Sequence, residues 1–379
     1  MKNNWILRKK MRIMVILIFM GLENIMEEVQ KNRVKGVNIV FLITILISVI
    51  VPFLPLNYLR DRAALGVIFS QVCLVLPTVI YLLVNRMSYA ETVRFRKMRV
   101  QDILLTLLFG ILIGPVHTLI NALSLVFSTD VISFTVIDII HDVPFLGGMV
   151  LVAVLPAIAE ETVFRGAFYN EYSKIHVLKA AVLSGFLFGV MHGNINQFCY
   201  TFILGISLAL LVEATGSILS SMLVHFWINA SSTVQTYLQP VLYKRNQAIY
   251  NMYKEYGMKD KVAELEAMLG DLTLTSEEWM YQIVKNGVQL TVPQVLMQYG
   301  LPALVGGVLA FLVYKKLAVR NGNWYRICAS FKPQRRKKAE IDEEPEEPKQ
   351  RMITVPLVIG ILLGVAFMIF YEFLIQRAG

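Results

Sequence analysis

The side chains able to do chemistry lie in three short stretches of the chain: Glu160, Glu161 and Arg165 in "EETVFR", His192 in "FGVMH", and His225 and Asn229 in "HFWIN". A carboxylate in a poorly solvated place can act as a general base toward water, and a neutral histidine can share that water. A second histidine and an asparagine can donate hydrogen bonds to the oxyanion of a tetrahedral intermediate. Together these residue types predict hydrolysis by an activated water.

The spacing within the first stretch assigns different tasks to its two glutamates. Positions four apart share a helix face, so Glu161 and Arg165 are expected to form an ion pair with the acid on the favoured N-terminal side. Glu160 is rotated by about 100° from Glu161 and is free to point elsewhere. Glu160 is therefore the carboxylate that we expect to act on water.

The other two stretches show the same four-residue spacing. His225 and Asn229 are expected to point into one space, and Phe188 is expected to pack beside His192. Small residues recur on the His192 helix and predict the close approach of a neighbouring helix. They are Gly185, Gly189 and Gly193.

Each of these features also has a structural interpretation. A single histidine inside a membrane helix is commonly a helix-to-helix hydrogen bond, and an isolated Glu161–Arg165 pair is commonly structural. The joint occurrence of the three groups is what favours a catalytic site. The remaining histidines match no such group and are interpreted as structural, interfacial or solvated: His117, His141 and His176.

The composition indicates the elements that must position these groups. Of the 379 residues, 56% are hydrophobic and only 17% are charged, whereas a soluble domain carries about 25% charge. Runs of about 20 apolar residues can each cross a bilayer. The sequence predicts an all-α polytopic transmembrane bundle of about eight to nine spans, at roughly 37–59, 63–84, 102–127, 146–167, 177–195, 197–213, 217–239, 297–316 and 353–375.

The distribution of basic residues predicts the orientation of the chain. Lys and Arg number eight in residues 1–36, five in 85–101 and ten in 316–351, whereas 128–145 has none. Basic loops collect in the cytoplasm, so the N-terminus is expected to be cytoplasmic. The basic residues lie between apolar spans, which argues against nucleic acid as a partner. Three cysteines without metal-type spacing predict neither a disulfide framework nor a cysteine zinc site.

The predicted domain organisation follows from these spans. Residues 1–36 form a cytoplasmic segment, 37–239 hold the first seven spans with the catalytic core at about 146–239, and 297–379 hold the last two spans. Residues 240–296 are predicted to be a helical extracytoplasmic insert, either an ordinary insert or a lid that gates substrate. The basic loop at 317–351 contains "EIDEEPEEPKQ" and is predicted to be partly disordered.

Two helices are expected within the insert 240–296. One is expected to stop at Gly270, and the other to begin with Thr275 and Glu278 in capping-box spacing and to end at Gly287.

The ordered motifs EExxxR, FxxxH and HxxxN resemble the signature of the CPBP intramembrane proteases. This is the CAAX-protease and bacteriocin-processing group, also called Abi proteins, and the resemblance covers about 146–239. It implies that Glu160 and His192 activate water, that His225 and Asn229 bind the oxyanion, and that Glu161 and Arg165 hold the first motif in place. No cofactor is favoured; the alternative is zinc bound by Glu160, His192 and His225, with water as the fourth ligand.

The leading hypothesis is a multi-pass endopeptidase of a bacterial cell membrane. It would hydrolyse a peptide bond in a membrane-associated or lipid-anchored peptide or protein, with membrane lipid as its other partner. One rival is a non-catalytic scaffold or a bacteriocin self-immunity protein of the same fold. Another is a transporter with a proton relay, which predicts a repeat symmetry that the sequence lacks. The sequence does not determine the substrate or the oligomeric state.

Overall fold

A computed structural model describes residues 32–55, 62–285, 290–331 and 351–378. Within these ranges the chain is helical and forms no β-strand. The helices, numbered in chain order, are α1 Arg33–Ile50, α2 Ala63–Val84, α3 Tyr89–Thr92, α4 Val100–Ser124, α5 Ile132–Asp142, α6 Phe145–Ser173, α7 Val177–Met191, α8 Ile195–Thr215, α9 Ile218–Glu255, α10 Lys259–Leu269, α11 Ser276–Lys285, α12 Val292–Arg320, α13 Trp324–Ala329 and α14 Val355–Ala378.

The described helices confirm a multi-pass membrane bundle. Seven of them are long and apolar enough to cross a membrane: α1 with its extension to Phe53, α2, α4, α6, α8, α12 and α14 up to Ile375. The other two predicted spans are helices with different properties. Helix α7 has 15 residues. Its length is roughly 22 Å, which is shorter than the ~30 Å thickness of the hydrocarbon core. Helix α9 contains the predicted span 217–239 but continues to Glu255.

Helices α6 to α9 form the centre of the bundle. Helices α7 and α8 touch through glycines, because a Cβ atom built on Gly205 would lie 2.6 Å from the Cα atom of Gly185. Gly189 likewise lies against Phe198, whose ring a Cβ atom would approach to 2.9 Å. The predicted small-residue stripe is thus confirmed for Gly185 and Gly189. Gly193 lies beyond the helix, in a turn with φ of +68°.

Helices α1, α2 and α14 cover one side of this centre. Helix α14 packs against α1 and α7, and α2 packs against α1 and α6. Asn38 of α1 fixes the start of α14, because its amide donates to the carbonyl of Met352 at 2.9 Å and to Thr354 Oγ1 at 2.8 Å. On the other side, α12 packs along α4.

Helix α5, the second half of α9, and helices α10 and α11 form a small bundle, here called the cap. Its core consists of Ile137, Tyr243, Tyr250, Leu272, Trp279 and Met280. Helix α10 ends at Gly270, as predicted, in a conformation with φ of +78°. The predicted capping box is also present: Thr275 Oγ1 accepts from the Glu278 amide at 3.2 Å, and the Glu278 carboxylate accepts from the Thr275 amide at 2.9 Å.

Some predictions concern residues that the structure does not describe. These are the greater part of the segment 1–36, the acidic and proline-rich part of the loop 317–351, and the end of helix α11 at Gly287.

Candidate active site

The two adjacent glutamates lie in an irregular helix. The α-helical stretch Leu155–Glu161 of α6 is flanked by π-helical stretches at Val150–Val154 and Thr162–Tyr169. Such π-helical turns are frequent at functional sites, because they shift the helix register and free backbone groups. The four-residue spacing predicts a regular α-helix here and gives no sign of the π-helical stretches.

Glu161 is the inner carboxylate of the pair. Its Oε1 atom accepts from Nη1 of Arg165 at 2.9 Å, and both side chains are fully buried. The ion pair predicted from the four-residue spacing is therefore formed. The same oxygen accepts from Nδ1 of His225 at 2.9 Å, so Glu161 connects the first motif to the third. Spacing within one helix could not have revealed this second contact.

Phe188 occupies the space between the three motifs. The guanidinium carbon of Arg165 lies over its ring, 4.3 Å from the centroid, in the geometry of a cation–π contact. The ring also meets His192 and His225 edge-on, with centroid distances of 4.8 and 5.9 Å. Phe188 packs beside His192 as predicted, and it additionally contacts the groups of the other two motifs.

His192 lies just past the end of α7 rather than inside a span reaching residue 195. It is the residue that caps the helix, and Gly193 then turns the chain with a positive φ. Its Nδ1 atom lies 2.7 Å from the carbonyl oxygen of Phe188. Because a carbonyl oxygen only accepts hydrogen bonds, Nδ1 carries the hydrogen, and Nε2 of the neutral ring keeps its lone pair. His192 lies within electrostatic range of Glu160 and His225.

His225 faces both glutamates. Because a carboxylate only accepts, Nδ1 of His225 donates to Glu161. Its Nε2 atom lies 3.7 Å from Oε2 of Glu160, which is longer than a direct hydrogen bond. One turn later, the Asn229 amide donates to the carbonyl of Val152 at 3.1 Å. Helix α9 thus presents both side chains to the glutamate helix, as their spacing predicted.

Gln71 of α2 is a further polar contact of Glu160. Its Nε2 atom donates to Oε1 of Glu160 at 3.0 Å. Gln71 was not among the predicted site residues, because it is not ionisable and lies outside the three motifs. The available signal was an amide side chain in the apolar span Ala63–Val84, where polar side chains face protein or water rather than lipid.

Two cavities open beside His192. One, of about 460 Å³, lies between α1, α2, α7 and α14 and is lined by Ile45, Phe69, Cys73, His192, Gly193 and Phe367. The other, of about 430 Å³, also contains His192, Gly193 and Phe367 and extends to Thr135, Gln197 and Tyr371. The two cavities share these lining residues and adjoin at His192; together they are called the cleft below.

The zinc alternative requires Glu160, His192 and His225 to surround one ion. The described part of the chain contains no group of three or more His, Cys, Asp and Glu side chains arranged to hold a metal ion. His192 and His225 each use Nδ1 in a hydrogen bond, to Phe188 and to Glu161, and each keeps Nε2, an arrangement that is also usual for metal-bound histidines. Zinc at Glu160, His192 and His225 stays a prediction, and no chemical step is assigned to a metal.

The other histidines differ in their surroundings. His176 accepts from the Lys179 amide at 3.4 Å and caps α7, and His141 is exposed at the end of α5. His117 of α4 is buried and within electrostatic range of His225, although the sequence placed it in no group.

Part of the chain matches a known protein family. Residues 142–231 match the family described as type II CAAX prenyl endopeptidase Rce1-like. Among curated proteins and solved structures, no significant match to the chain was found. The matched residues contain all three motifs, from Glu160 to Asn229. Over residues 142–231, the chain is thus a relative of the CPBP family of CAAX proteases, and the resemblance inferred from the three motifs is confirmed.

Proposed function

We propose that this protein is an intramembrane endopeptidase that cleaves a membrane-associated peptide or protein by activating water with a glutamate. The observation that carries the proposal is that Glu160 faces His225, that both site histidines meet the Phe188 ring, and that His192 lines a cleft, all within the segment that matches a protease family. The coarser conclusion, a CAAX-type membrane protease, follows from the family match. The roles of the individual residues are our inference.

Glu160 is the proposed general base. Its side chain is 12% exposed, whereas that of Glu161 is fully buried and engaged by Arg165 and His225. In the reaction, the oxygen of water bonds to the carbonyl carbon of the peptide while its proton passes to the Glu160 carboxylate. The intermediate then collapses, the C–N bond breaks, and the proton goes to the departing amine. His192, whose Nε2 lone pair is left free by the bond of Nδ1 to Phe188, accepts a hydrogen bond from the same water.

His225 and Asn229 are the proposed donors to the oxyanion. Asn229 uses one amide hydrogen on the Val152 carbonyl and keeps the other. His225 donates through Nε2 when it is an imidazolium, because Nδ1 is already donating to Glu161. Removing one donor of this kind typically raises the barrier by about 2.7–4 kcal/mol. Glu161, Arg165 and Phe188 hold these groups in place.

The cleft beside His192 is the proposed binding place of the substrate. Side chains such as Ile45, Phe69 and Phe367 give it an apolar surface between membrane helices. Gln197 and Tyr371 add polar groups in its second part. A peptide that carries a lipid or an apolar anchor fits both surfaces, because the anchor can stay in the apolar part while the backbone reaches polar groups.

Cleavage by the purified protein tests this proposal. The protein is reconstituted into liposomes with quenched-fluorescence peptides that carry a farnesylated cysteine, an N-terminal acyl chain or a transmembrane anchor. We expect wild-type protein to cleave at least one of them, and Glu160→Gln and His192→Ala to cleave none while remaining folded. The matched controls are Glu91→Gln and His141→Ala, at exposed positions. Full activity in both site variants would overturn the protease mechanism and favour a scaffold.

We further propose that the N-terminus is cytoplasmic and the cap extracytoplasmic, because the three basic loops then share the cytoplasmic side. Cysteines introduced at Glu91 and Lys261, in a background lacking the three native cysteines, would report each side through a membrane-impermeant maleimide. In intact cells, labelling at 261 but not at 91 is the expected result. Labelling at 91 alone would invert the topology.

A further inference from the structure

Gln71 contacts the proposed base from a helix outside the three motifs. It lies in the middle of α2, and its Nε2 atom donates to Oε1 of Glu160 at 3.0 Å. Helix α2 packs against α6, so the hydrogen bond closes a contact between two membrane helices. A bond to an ionised carboxylate is roughly twice as strong as one between neutral groups.

The contact fixes the rotation of the Glu160 carboxylate. Oε1 is held by Gln71, and Oε2 is consequently the oxygen that faces Nε2 of His225, at 3.7 Å. Among the described residues, no second donor forms a hydrogen bond to Oε1 of Glu160. Without Gln71 the carboxylate would be free to turn about its terminal bond, and its orientation toward His225 would be lost.

The oxygen of the Gln71 amide is free to accept a hydrogen bond. Its Oε1 atom is buried and has no hydrogen-bond partner in the described part of the chain. Buried amide oxygens normally have a donor, and one without a partner calls for an explanation. The neighbouring residues Ser70 and Cys73 line the cleft that passes His192. The Gln71 carbonyl oxygen is therefore a buried acceptor on a helix that forms one wall of the cleft, in the same amide group that holds Glu160.

We propose that Gln71 is a positioning residue for hydrolysis. It orients the Glu160 carboxylate through Nε2, and through Oε1 it accepts a hydrogen bond from the reacting water. This inference rests on the proposed function, since it assigns Gln71 to the base of that reaction.

The test replaces Gln71 by methionine, which keeps the length of the side chain and removes both hydrogen-bonding groups. We expect kcat to fall roughly ten- to hundredfold, as for the loss of a hydrogen bond to a charged group, with KM changed less than about twofold because Gln71 acts on the base. The matched control is Gln101→Met, because Gln101 is an exposed glutamine at the start of α4. It is expected to keep wild-type kcat and KM.

Gln71→Glu provides a second variant of the same size. It keeps an acceptor but sets a second carboxylate against Glu160, so it is expected to be less active than Gln71→Met. A merely structural contact predicts the opposite pattern, with lowered thermal stability and unchanged kcat in Gln71→Met.

Infrared difference spectra give a readout that does not need turnover. Bands present in wild type and lost in Glu160→Gln belong to the Glu160 carboxyl group, and we expect Gln71→Met to shift them. Unshifted bands, or unchanged kcat in Gln71→Met alongside inactive Glu160→Gln, would overturn the role of Gln71 and leave the proposed function standing. An active Glu160→Gln would overturn both.

Discussion

Replacing Glu161 by glutamine is expected to destabilise the protein by about 3–5 kcal/mol, the usual effect of breaking a buried ion pair. The pair is fully buried, with 2.9 Å between Arg165 Nη1 and Glu161 Oε1. The variant leaves the guanidinium without a counter-charge, and it also removes the charge from the acceptor of the His225 hydrogen bond. This free energy corresponds to roughly a hundred- to several thousandfold lower ratio of folded to unfolded protein.

A second substitution separates stability from activity. In Glu161→Gln with Arg165→Met, neither charge remains buried without its partner. Removing both charges of a buried pair is often close to neutral, so the double variant should regain most of the lost stability. It should not regain cleavage, because His225 still lacks a charged partner at Nδ1. The coupling between the two positions is expected to exceed about 2 kcal/mol.

Equilibrium unfolding in mixed detergent–SDS micelles, followed by tryptophan fluorescence, measures this coupling, with peptide cleavage assayed on the same preparations. The exposed pair of Lys261 and Glu264, at 2.7 Å, serves as the control and is expected to give no measurable coupling. The reasoning is refuted if Glu161→Gln is no less stable than Glu264→Gln. It is also refuted if the double variant is as unstable as the sum of the single ones.

Three further predictions concern other parts of the fold. Gly205→Ala is expected to destabilise by about 1–3 kcal/mol, because its Cβ atom would meet the Gly185 backbone at 2.6 Å. Gly300→Ala, where nothing lies within 4 Å, should leave the melting temperature unchanged or slightly raised. Phe188→Ala should lower both stability, by about 3–5 kcal/mol, and cleavage, since the ring contacts Arg165 and the two site histidines; equal cleavage per folded molecule would contradict this. Hydrogen bonds from the Thr275 amide and hydroxyl hold the pKa of Glu278 below its usual range. The amides at the start of α11 are therefore protected from hydrogen exchange at pH values above about 4.5, the pKa of Glu278 in the unfolded chain. They lose this protection as the pH falls through the lower pKa that Glu278 has in the folded protein. Hydrogen exchange of residues 276–285, corrected for its intrinsic pH dependence, should show this in wild type and not in Thr275→Ala.

The sequence predicted those parts of the site that depend on spacing along one helix. The Glu161–Arg165 pair, the packing of Phe188 on His192 and the shared direction of His225 and Asn229 all follow from a four-residue repeat. The apolar runs likewise predicted the spans, because the bilayer imposes one length on each. These rules are local, so a single sequence is sufficient to apply them.

Contacts between distant helices could not be predicted in this way. Gln71 is 89 positions from Glu160, and no periodicity connects them. The bond between His225 and Glu161 spans 64 positions and depends on how α9 packs against α6. The end of α7 before His192 was also missed, because the apolar sequence continues past the helix and only the positive φ of Gly193 reveals the turn.

The bond between Glu161 and His225 changes the interpretation of the two adjacent glutamates. From spacing alone, Glu161 neutralises Arg165 and nothing more. In the structure it also determines which nitrogen of His225 carries a hydrogen, because a carboxylate only accepts. Nε2 of the neutral ring then has a lone pair and cannot donate to an oxyanion. If His225 is a donor in the reaction, it must be an imidazolium, with Glu161 as its counter-charge and Glu160 at 3.7 Å on the other side. His225 can therefore donate to the oxyanion only while Glu161 carries its charge. A neutral residue at position 161 should remove the counter-charge and, with it, the oxyanion role of His225.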